Sequence, residues 1–497
     1  MRLATAGQML AADRRAIGEY GVPSVRLMEA ASRAVAEAAK GYLSPGGTAV
    51  IFCGSGNNGG DGVGAAARLL RAGYAVRAFL TGDRAHATPD WREMERRLTA
   101  LGGSVEDFKE GMELPPNAEV VVDAIFGVGL NRPVAGRALE AIEAINASPV
   151  PVVAADIPSG VEADTGRILG AAVRADATVT FSLAKIGHFA EPGCVYRGRL
   201  ELADIGIPKE ILATCETRVS AVLDEEIRLP KRNPLSHKGD YGKILILGGS
   251  VGYTGAPTLC ARAAVRAGAG LVYLGVPAPI YEITAVKNDE AMPFPLSPGG
   301  AVPERLRDCD VCAVGCGMGR GEDTLALVKA LLELPKAEQK PLVLDADALN
   351  ALSGRLEPLD AYEGTAVLTP HEGEFLRLGG ALTGDRVSDA RRFAEAHGCV
   401  LLLKGHRCVA AFPDGETFIA AHGNPGMAKG GSGDALTGVL AAMLGQLPGD
   451  PKRAVRAAMT LHALSGDLCR ERYGEYAMTA TDLIETLPEA AKQLEEA

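Results

Sequence analysis

The sequence has no run of apolar residues that approaches the roughly 18 needed to cross a membrane. Within residues 1–40, Asp13, Arg14 and Arg15 stand where a signal peptide would need an uninterrupted apolar segment. Hydrophobic residues still make up 47% of the 497 residues and charged residues 23%, a composition typical of globular proteins. We therefore expect a soluble, cytoplasmic protein without a membrane partner, long enough for at least two domains.

Clustered basic residues and metal-binding cysteine motifs are also scarce. The formal net charge is −11, and the lysines and arginines form no block that could follow a phosphate backbone, which argues against a nucleic-acid partner. The ten cysteines include one C-x-x-C pair, Cys309 and Cys312, with Cys316 nearby, but no fourth ligand follows at zinc spacing. Residues 310–316 are instead predicted to form a buried strand.

Short apolar segments alternate with helical patterns in both halves, which is typical of α/β folds with parallel sheets. Apolar spacing predicts a helical region over residues 9–39 and, for the first half, a doubly wound sheet. A polar, proline-bearing segment from Leu223 to Tyr241 predicts domains at residues 1–222 and 223–497. The predicted strands are 49–53, 75–80, 120–126, 150–156, 177–182 and 200–203, then 243–247, 271–276, 311–314, 341–345, 366–369 and 400–404.

A glycine-rich turn follows the first of these strands, where residues 54–62 read Gly-Ser-Gly-Asn-Asn-Gly-Gly-Asp-Gly. The pattern satisfies the G-x-G-x-x-G dinucleotide fingerprint, and Asp83 follows the next strand, so a redox nicotinamide site is one alternative. Asp61, however, stands where the helix would receive a pyrophosphate, and its carboxylate would repel that group. We therefore disfavour an ordinary dinucleotide site.

Two more strand ends are predicted to meet this turn at one edge of the sheet, where open α/β folds bind ligands. They are residues 123–133, beginning with Asp123, and residues 156–160, Asp-Ile-Pro-Ser-Gly. With Asn57, Asn58 and Asp61 they supply carboxylate, amide and hydroxyl oxygens, which suit a hard cation or a hydroxylated ligand. The alternative is that Asp123 and Asp156 only cap their turns.

The second half contains another glycine-rich loop, residues 424–434, Asn-Pro-Gly-Met-Ala-Lys-Gly-Gly-Ser-Gly-Asp, ahead of a helical pattern at 435–444. Its glycines allow backbone amides to turn inward and hold a phosphate at the amino end of the helix. Asp434 is placed to accept a proton from a substrate hydroxyl, which predicts phosphoryl transfer to that hydroxyl. A mobile surface loop is the alternative. No Walker sequence occurs, which excludes Walker-type ATPase chemistry.

Other strand ends of the second half carry further candidate groups. His371 is predicted to contact substrate, with helix capping as the alternative, and Phe375 breaks the H-E-x-x-H zinc pattern. Asp345 and Asp347 are candidates either for proximity to Mg²⁺ or for helix capping. Cations for nucleotide phosphates, or else ordinary exposed charges, lie in the segment Lys404, Gly405, His406, Arg407 and Cys408.

The turn at 56–62, residues 123–133 and residues 156–160 together resemble the NAD(P)H-hydrate epimerase domain of the YjeF N-terminal type. The resemblance implies that Asn58, Asp123 and Ser159 hold K⁺. It also implies an acid/base role for Asp156, with Lys185 as a second candidate whose alternative is an exposed surface lysine. The residues expected to contact the hydrated dinucleotide are Asn57, Asn58, Gly59, Gly60, Asp61, Gly127, Val128, Gly129, Leu130, Asn131, Arg132, Pro133 and Asp156.

Residues 424–434 and 369–376 resemble the ADP/ATP-dependent NAD(P)H-hydrate dehydratase domain. The two resemblances imply a Rossmann-like doubly wound sheet followed by a ribokinase-like α/β domain. They imply that Asp434 is the base and that the hydrate site is lined by Ala256, Gly319, His371 and Asp434. The residues expected to bind the adenine nucleotide, ADP with Mg²⁺, are Lys404, Gly405, His406, Arg407, Cys408 and Gly433.

Together the resemblances cover nearly the whole chain and predict a repair enzyme for hydrated NADH and NADPH, the small molecules NADHX and NADPHX. The first domain would interconvert their R and S epimers. The second would dehydrate the S epimer at the expense of ADP, giving AMP and phosphate. A kinase of a vitamin-like alcohol, joined to a nucleotide-binding scaffold module, is the alternative. We also expect a homo-oligomer.

Overall fold

The structure is a computed structural model that describes residues 1–297, 299 and 301–496. The chain divides into two compact units, residues 2–219 and residues 220–497 with Met1. None of the described helices combines the length and the apolar character that a membrane span requires.

A parallel sheet forms the centre of the first unit. The helices and strands of this unit are β1 (Arg2–Ala4), α1 (Ala6–Gly18), α2 (Ser24–Lys40), β2 (Thr48–Cys53), α3 (Asn57–Arg71), β3 (Ala75–Leu80), α4 (Pro89–Ala100), β4 (Val105–Asp107), β5 (Ala118–Ala124), α5 (Arg137–Ala147), β6 (Val152–Ala155), β7 (Ala177–Phe181), β8 (Ala184–Lys185), β9 (Arg199–Ala203) and α6 (Lys209–Ala213). Seven strands pair in parallel in the order β4-β3-β2-β5-β6-β7-β9. The order reverses between β2 and β5, the position where doubly wound sheets bind ligands. The predicted Rossmann-like sheet is confirmed.

The helical region predicted over residues 9–39 is confirmed, and it consists of two helices because the chain breaks between α1 and α2. Gly21 has φ of +66°, a left-handed conformation that ends a helix readily. Pro23 precedes α2 and carries no amide hydrogen to continue the ladder. At the start of α1, Thr5 and Gln8 form a capping box.

The second unit also has a largely parallel sheet covered by helices. Its elements are β10 (Val219–Val222), β11 (Lys243–Leu247), α7 (Gly255–Arg266), β12 (Leu271–Pro277), α8 (Tyr281–Lys287), β13 (Met292–Leu296), β14 (Val311–Val314), α9 (Glu322–Leu332), β15 (Leu342–Leu344), α10 (Asp347–Ala351), α11 (Glu357–Asp360), β16 (Ala366–Leu368), α12 (Glu372–Arg377), α13 (Arg386–His397), β17 (Val400–Leu403), β18 (Val409–Ala411), β19 (Thr417–Ala420), α14 (Ser432–Gln446), α15 (Pro451–Ala477) and α16 (Ala480–Glu496). The strands run β13-β12-β11-β14-β15-β16-β17-β18-β19. Among the strands described in this series, only β17, β18 and β19 pair antiparallel.

The interior of the second unit is built around α14. Nearly every residue of this helix is buried, so it shows no polar face, and it packs against α7 and α15. Strand β14 is buried as predicted, and Cys309, Cys312 and Cys316 are buried free thiols. Burial of α14 fixes the position of its amino end, where the second glycine-rich loop enters.

Candidate active sites

A cavity of about 530 Å³ lies in the first unit, beside the carboxyl ends of β2, β5 and β6. It gathers most of the residues that the sequence predicts for this half, because parallel strands present their carboxyl ends at one edge. The predicted residues that line it are Asn57, Asn58, Asp61, Gly127, Val128, Gly129, Leu130 and Asp156. Within the described chain, its lining does not include Gly59, Gly60, Asn131, Arg132 or Pro133.

Two glycines of the first turn are required by close packing. A Cβ added at Gly59 would lie 1.8 Å from the carbonyl oxygen of Gly54, and one at Gly54 would lie 2.1 Å from that of Ile125. No side chain fits at such distances. The turn therefore owes part of its glycine content to the approach of α3 to the sheet, and a contact from Gly59 or Gly60 to a ligand stays a prediction.

Asp156 and Lys185 form a buried ion pair beside the cavity. Lys185 Nζ lies 2.5 Å from Asp156 Oδ1, and the lysine side chain is only 1% exposed, so the alternative of an exposed surface lysine is wrong. Asp156 Oδ2 accepts a hydrogen bond from the Val128 amide at 3.3 Å. Burial would raise the pKa of Asp156, but the Lys185 ammonium outweighs it and holds the pKa below its usual range. The carboxylate is therefore ionised at neutral pH.

His188 holds this pair in place. Its Nδ1 accepts from the Lys185 amide at 2.9 Å, so Nε2 carries the proton that is donated to the Asp156 carbonyl oxygen, also at 2.9 Å. Burial lowers the pKa of His188 to about 3, which keeps the ring neutral. Asp156 itself has φ of +66°, a strained backbone for a residue with a side chain. Strain maintained in this way is common where a side chain must be aimed at a ligand.

Two of the three residues expected to hold K⁺, Asp123 and Ser159, contact each other. Asp123 accepts hydrogen bonds from the Ser159 hydroxyl at 2.6 Å and the Ser159 amide at 2.8 Å. The side-chain amide of Asn58 is buried without a hydrogen-bond partner among the described residues. A buried amide oxygen without a partner is costly, and together with oxygen ligands it suits a hard cation. The donor set therefore fits K⁺.

Asp61 differs from its sequence-based interpretation. A charged carboxylate would repel a pyrophosphate, but Asp61 is buried in α3, just past the first turn of the helix. Burial first, and then the charge of Asp156, raises its pKa well above the usual range. The raised pKa weakens the repulsion of an anion that a fully charged carboxylate would exert at this position.

In the second unit, the glycine-rich loop delivers the amino end of α14 as predicted. Gly431 precedes the helix with φ of +97°, and an added Cβ would lie 2.6 Å from Leu259 Cδ1. Lys429 Nζ donates to the carbonyl oxygens of Tyr476 and Met478, both at 2.6 Å, which ties the loop to the end of α15. The alternative of a mobile surface loop does not fit these contacts.

Asp434 lies in the first turn of α14, near Cys316 and Asp345. Oxygen and sulfur atoms of the three residues lie within 4.8 Å of one another. Burial raises the pKa of Asp434 to about 6, the Asp345 carboxylate adds to the rise, and a hydrogen bond from the Cys316 thiol opposes it. Asp434 is thus mostly ionised at neutral pH yet basic enough to accept a proton.

Lys404 forms an ion pair with Asp345, Nζ to Oδ1, at 2.7 Å. Asp345 also accepts from the Thr369 hydroxyl at 2.8 Å and the Thr437 hydroxyl at 2.9 Å. An ordinary exposed charge is therefore the wrong interpretation of Lys404, whose side chain is 20% exposed. A Cβ added at Gly433 would lie 3.4 Å from Lys404 Nζ, so the lysine lies at the amino end of α14.

A complete Mg²⁺ cage does not form at this cluster. Asp345 already receives three donors, and the Cys316 thiol is a poor ligand for a hard cation. Asp347 is engaged as well, since its Oδ2 accepts from the Gly319 amide at 2.7 Å. Mg²⁺ usually binds through one or two carboxylates together with substrate phosphates, and the residues present fit it only as a companion of the nucleotide.

The remaining predicted residues of this half are less closely gathered. His371 Nδ1 accepts from the amides of Gly373 and Glu374, so the capping alternative is confirmed, while its contact with substrate stays a prediction. Ala256 lies in α7, and its Cβ is 3.0 Å from where a Cβ at Gly317 would be. The segment 405–408 connects β17 to β18, where Cys408 Sγ lies 3.7 Å from the Gly405 carbonyl oxygen and Arg407 hydrogen-bonds to the Ala421 carbonyl.

Sequence reasoning missed several supporting residues. His462 in α15 lies 3.0 Å, through Nε2, from the carbonyl oxygen of Ser432, and burial lowers its pKa to about 4, so the neutral ring supports the loop. Asn424 donates to Asp467 and to the Gly466 carbonyl oxygen, both at 2.9 Å. His462 lies in a helical sequence that carries no local pattern to reveal it, and Asn424, although part of the predicted loop, meets Asp467 only through the tertiary fold. Asp13, which lines the first cavity, was also missed.

Comparison with known proteins accounts for both halves. The family described as YjeF-related protein N-terminus matches residues 24–187, and the family NAD(P)H-hydrate dehydratase matches residues 244–489. The bifunctional NAD(P)H-hydrate repair enzyme Nnr of Moorella thermoacetica is 43% identical, over 100% of this chain and 98% of its own. The chain belongs to the bifunctional NAD(P)H-hydrate repair enzyme family. The same enzyme of Escherichia coli is 34% identical, over 96% of this chain and 91% of its own.

Solved structures match the second half. An ADP/ATP-dependent NAD(P)H-hydrate dehydratase from Bacillus subtilis, co-crystallised with ATP and Mg²⁺, is 32% identical with a TM-score of 0.50. It covers 56% of this chain and 99% of its own. A ribokinase-like superfamily protein from Enterococcus faecalis, 26% identical over 56% of this chain and 98% of its own, also has a TM-score of 0.50. The predicted ribokinase-like α/β fold is confirmed.

Proposed function

We propose that the chain repairs NADH and NADPH whose nicotinamide ring is hydrated at carbon 6. Residues 1–222 form the epimerase domain, which interconverts the R and S hydrates. Residues 223–497 form the dehydratase domain, which converts the S hydrate to the reduced cofactor at the expense of ADP, giving AMP and phosphate. The observation that carries the proposal is Asp434, a carboxylate with a raised pKa, beside Lys404 at the amino end of a buried helix.

In the dehydratase domain, Asp434 accepts the proton of the ring hydroxyl as its oxygen attacks the terminal phosphoryl group of ADP. The bond from that phosphorus to the bridging oxygen breaks, and AMP leaves. The free amides at the start of α14 and the Lys404 ammonium stabilise charge on the transferred group. Phosphate then leaves carbon 6 with the bonding electrons, and loss of a proton from the neighbouring ring carbon restores the double bond. Mg²⁺, when bound with the nucleotide, neutralises phosphate charge.

One contact supports the binding of a nucleotide by the C-terminal half. Lys404 and Gly433 are adjacent, as phosphate binding requires. We assign Gly405, His406, Arg407 and Cys408 to the adenine nucleotide. We assign Ala256, Gly319 and His371 to the hydrate.

In the epimerase domain, we assign the hydrate to the cavity that Asn57, Asn58, Asp61 and Asp156 line. The ionised Asp156 accepts the proton of the hydroxyl on carbon 6, and Gly127 to Pro133 contact the dinucleotide, with Gly59 and Gly60 in the same turn. K⁺ would be held by Asn58, Asp123 and Ser159. Its positive charge would balance the buried Asp123 carboxylate.

Product analysis tests the dehydratase assignment. Purified protein incubated with the S hydrate of NADH and ADP is expected to restore the absorbance of the reduced nicotinamide, with AMP and phosphate formed in equal amounts. A stable phosphorylated product would replace the proposal with a kinase of a hydroxylated substrate. ATP in place of ADP in the same assay determines the preferred nucleotide.

The epimerase assignment has a separate test. Asp156→Ala is expected to abolish the exchange of R and S hydrates while the dehydration of S hydrate is retained. Unchanged exchange would contradict the role of Asp156, and a wild-type chain without any exchange would leave the first domain as a nucleotide-binding scaffold. We further propose that the protein is cytoplasmic and that it forms a homo-oligomer. Light scattering of the purified chain tests the homo-oligomer.

A further inference from the structure

Inversion at carbon 6 needs two proton transfers, and the inference here rests on the proposed epimerase activity. This carbon carries both a hydroxyl group and the ring nitrogen. When the bond from carbon to nitrogen breaks, its electrons go to nitrogen, which takes a proton from an acid. The hydroxyl loses its proton to a base and becomes a carbonyl oxygen. Rotation and closure on the other face return both protons, so the reaction needs an acid and a base together.

The Asp156–Lys185 pair supplies only the base. Its lysine already bonds to Asp156, to the Thr180 hydroxyl at 2.8 Å and to the Phe181 carbonyl oxygen at 3.4 Å. All three protons of the ammonium group are therefore engaged. A second proton-transfer group must come from elsewhere in the cavity.

Asp13 of α1 is placed for that task. It lines the cavity from a helix face whose other lining residues, Met9, Leu10 and Ile17, are apolar. In the part of the chain that the structure describes, no hydrogen bond or ion pair reaches the carboxyl group of Asp13, which is partly buried. A carboxyl group on an apolar wall without a partner costs stability, which is a feature of residues kept for function.

The titratable groups that face Asp13 come from three elements. They are Asp156 after β6, Lys185 in β8 and Asp61 in α3. Helix α6, which also packs on α1, contributes only Lys209 and Glu210, and both are exposed. Burial raises the pKa of Asp13 to about 6, the Asp156 charge adds to the rise, and the Lys185 charge opposes it. A useful fraction of the group is therefore protonated near neutral pH.

We propose that Asp13 is the acid of the epimerase site, donating a proton to the ring nitrogen while Asp156 takes the proton of the hydroxyl. On ring closure Asp13 takes its proton back from nitrogen and Asp156 returns its own to oxygen. The epimerase reaction therefore needs Asp13 protonated and Asp156 ionised. Its rate falls as pH rises through about 6, the pKa of Asp13.

Three variants of the full chain test the proposal on the pure R hydrate of NADPH without ADP. Asp13→Asn keeps the shape of the side chain but has no proton to give, and we expect kcat for exchange to fall about 10²- to 10⁴-fold with KM unchanged. Asp13→Glu is expected to recover part of the rate. Arg14→Gln, at the neighbouring exposed position of the same helix, is the matched control and should keep the wild-type rate.

Further measurements separate the outcomes. Dehydration of the S hydrate with ADP should be unchanged in Asp13→Asn. Folding raises the pKa of this carboxyl group, so its contribution to stability is lost as pH rises from 3.8 through about 6. Because asparagine removes that cost, the unfolding temperature of Asp13→Asn at pH 8 should be no lower than that of the wild type.

The proposal is overturned if Asp13→Asn exchanges epimers at the wild-type rate, or if its loss appears only in KM, which would make Asp13 a binding contact. It is also overturned if wild-type exchange keeps its rate above pH 6 or if Asp13→Asn retains the wild-type pH profile. Failure of the proposed epimerase function looks different, because then the wild-type chain would exchange no epimers at any pH.

Discussion

The two active sites pair a lysine with an aspartate at the end of a parallel strand and place a further carboxyl group nearby. In the first unit the pair is Asp156–Lys185, and the further group is Asp13. In the second unit the pair is Asp345–Lys404, and the further group is Asp434. Burial raises the pKa of each further group to about 6. The sites differ in what surrounds that group.

Asp434 stands at the amino end of α14, beside Lys404, whereas Asp13 stands in the middle of α1 on an apolar wall. Helix amino ends stabilise anions, and apolar walls favour neutral acids. The second site is therefore suited to hold a phosphoryl group while its carboxylate accepts a proton. The first is suited to move protons without any phosphate. This difference predicts opposite pH dependences in one chain.

The largest effect is expected from Asp434→Asn. Removing the base should lower dehydration about 10²- to 10⁴-fold, because the ring hydroxyl then has no proton acceptor. The measurement is the recovery of reduced nicotinamide absorbance from the S hydrate with ADP. Epimer exchange by the same protein is the internal control and should be unchanged. Dehydration within a few-fold of the wild type would mean that Asp434 is not the base.

Lys185→Met tests how much the buried Asp156–Lys185 ion pair contributes to the stability of the first unit. It leaves the Asp156 charge buried without its cation, and we expect a loss of about 3–5 kcal/mol in the free energy of unfolding. Denaturant unfolding of the first unit measures it. Lys40→Met removes a pair with Glu37 that is partly exposed, and should cost about 0–1 kcal/mol. Equal losses of unfolding free energy in Lys185→Met and Lys40→Met would contradict the claim that burial makes the loss of the cation costly.

Gly59→Ala tests the packing role of the first glycine-rich turn. Its new Cβ would meet the Gly54 carbonyl oxygen at 1.8 Å, and overpacking of this kind costs about 1–3 kcal/mol. Gly56→Ala is the control in the same turn, since a Cβ there meets nothing within 4 Å. The measurement is the unfolding free energy of each variant. A Gly59→Ala protein as stable as Gly56→Ala would remove the packing explanation.

The smallest effect is the pH response of dehydration near neutrality. The pKa of Asp434 is about 6, so the base is lost as pH falls through that value, and the rate should drop about tenfold per unit below it. Between pH 8 and pH 7 the rate should hardly change. Initial rates with saturating S hydrate and ADP measure the profile. A rate that rises as pH falls from 7 to 5 would contradict a base with this pKa.

The sequence predicted the strands and the Asp434 loop well, because buried parallel strands are continuous apolar runs and glycines mark turns. It could not predict the burial of Lys185, since a lysine after a strand is usually exposed and only the tertiary fold supplies Asp156 as its partner. Asp13 and His462 lie in helical sequences without a motif, and only packing brings them to their sites. Burial also raises the pKa of Asp61, an effect that no local sequence pattern reveals.

The most direct test of the account supplies the wild-type chain with a mixture of R and S hydrates of NADH and an excess of ADP. If one chain performs both steps, the reduced nicotinamide absorbance recovers for the whole mixture, and Asp156→Ala recovers only the S fraction. A wild-type reaction that stops at the S fraction would contradict the claim that one chain performs both steps.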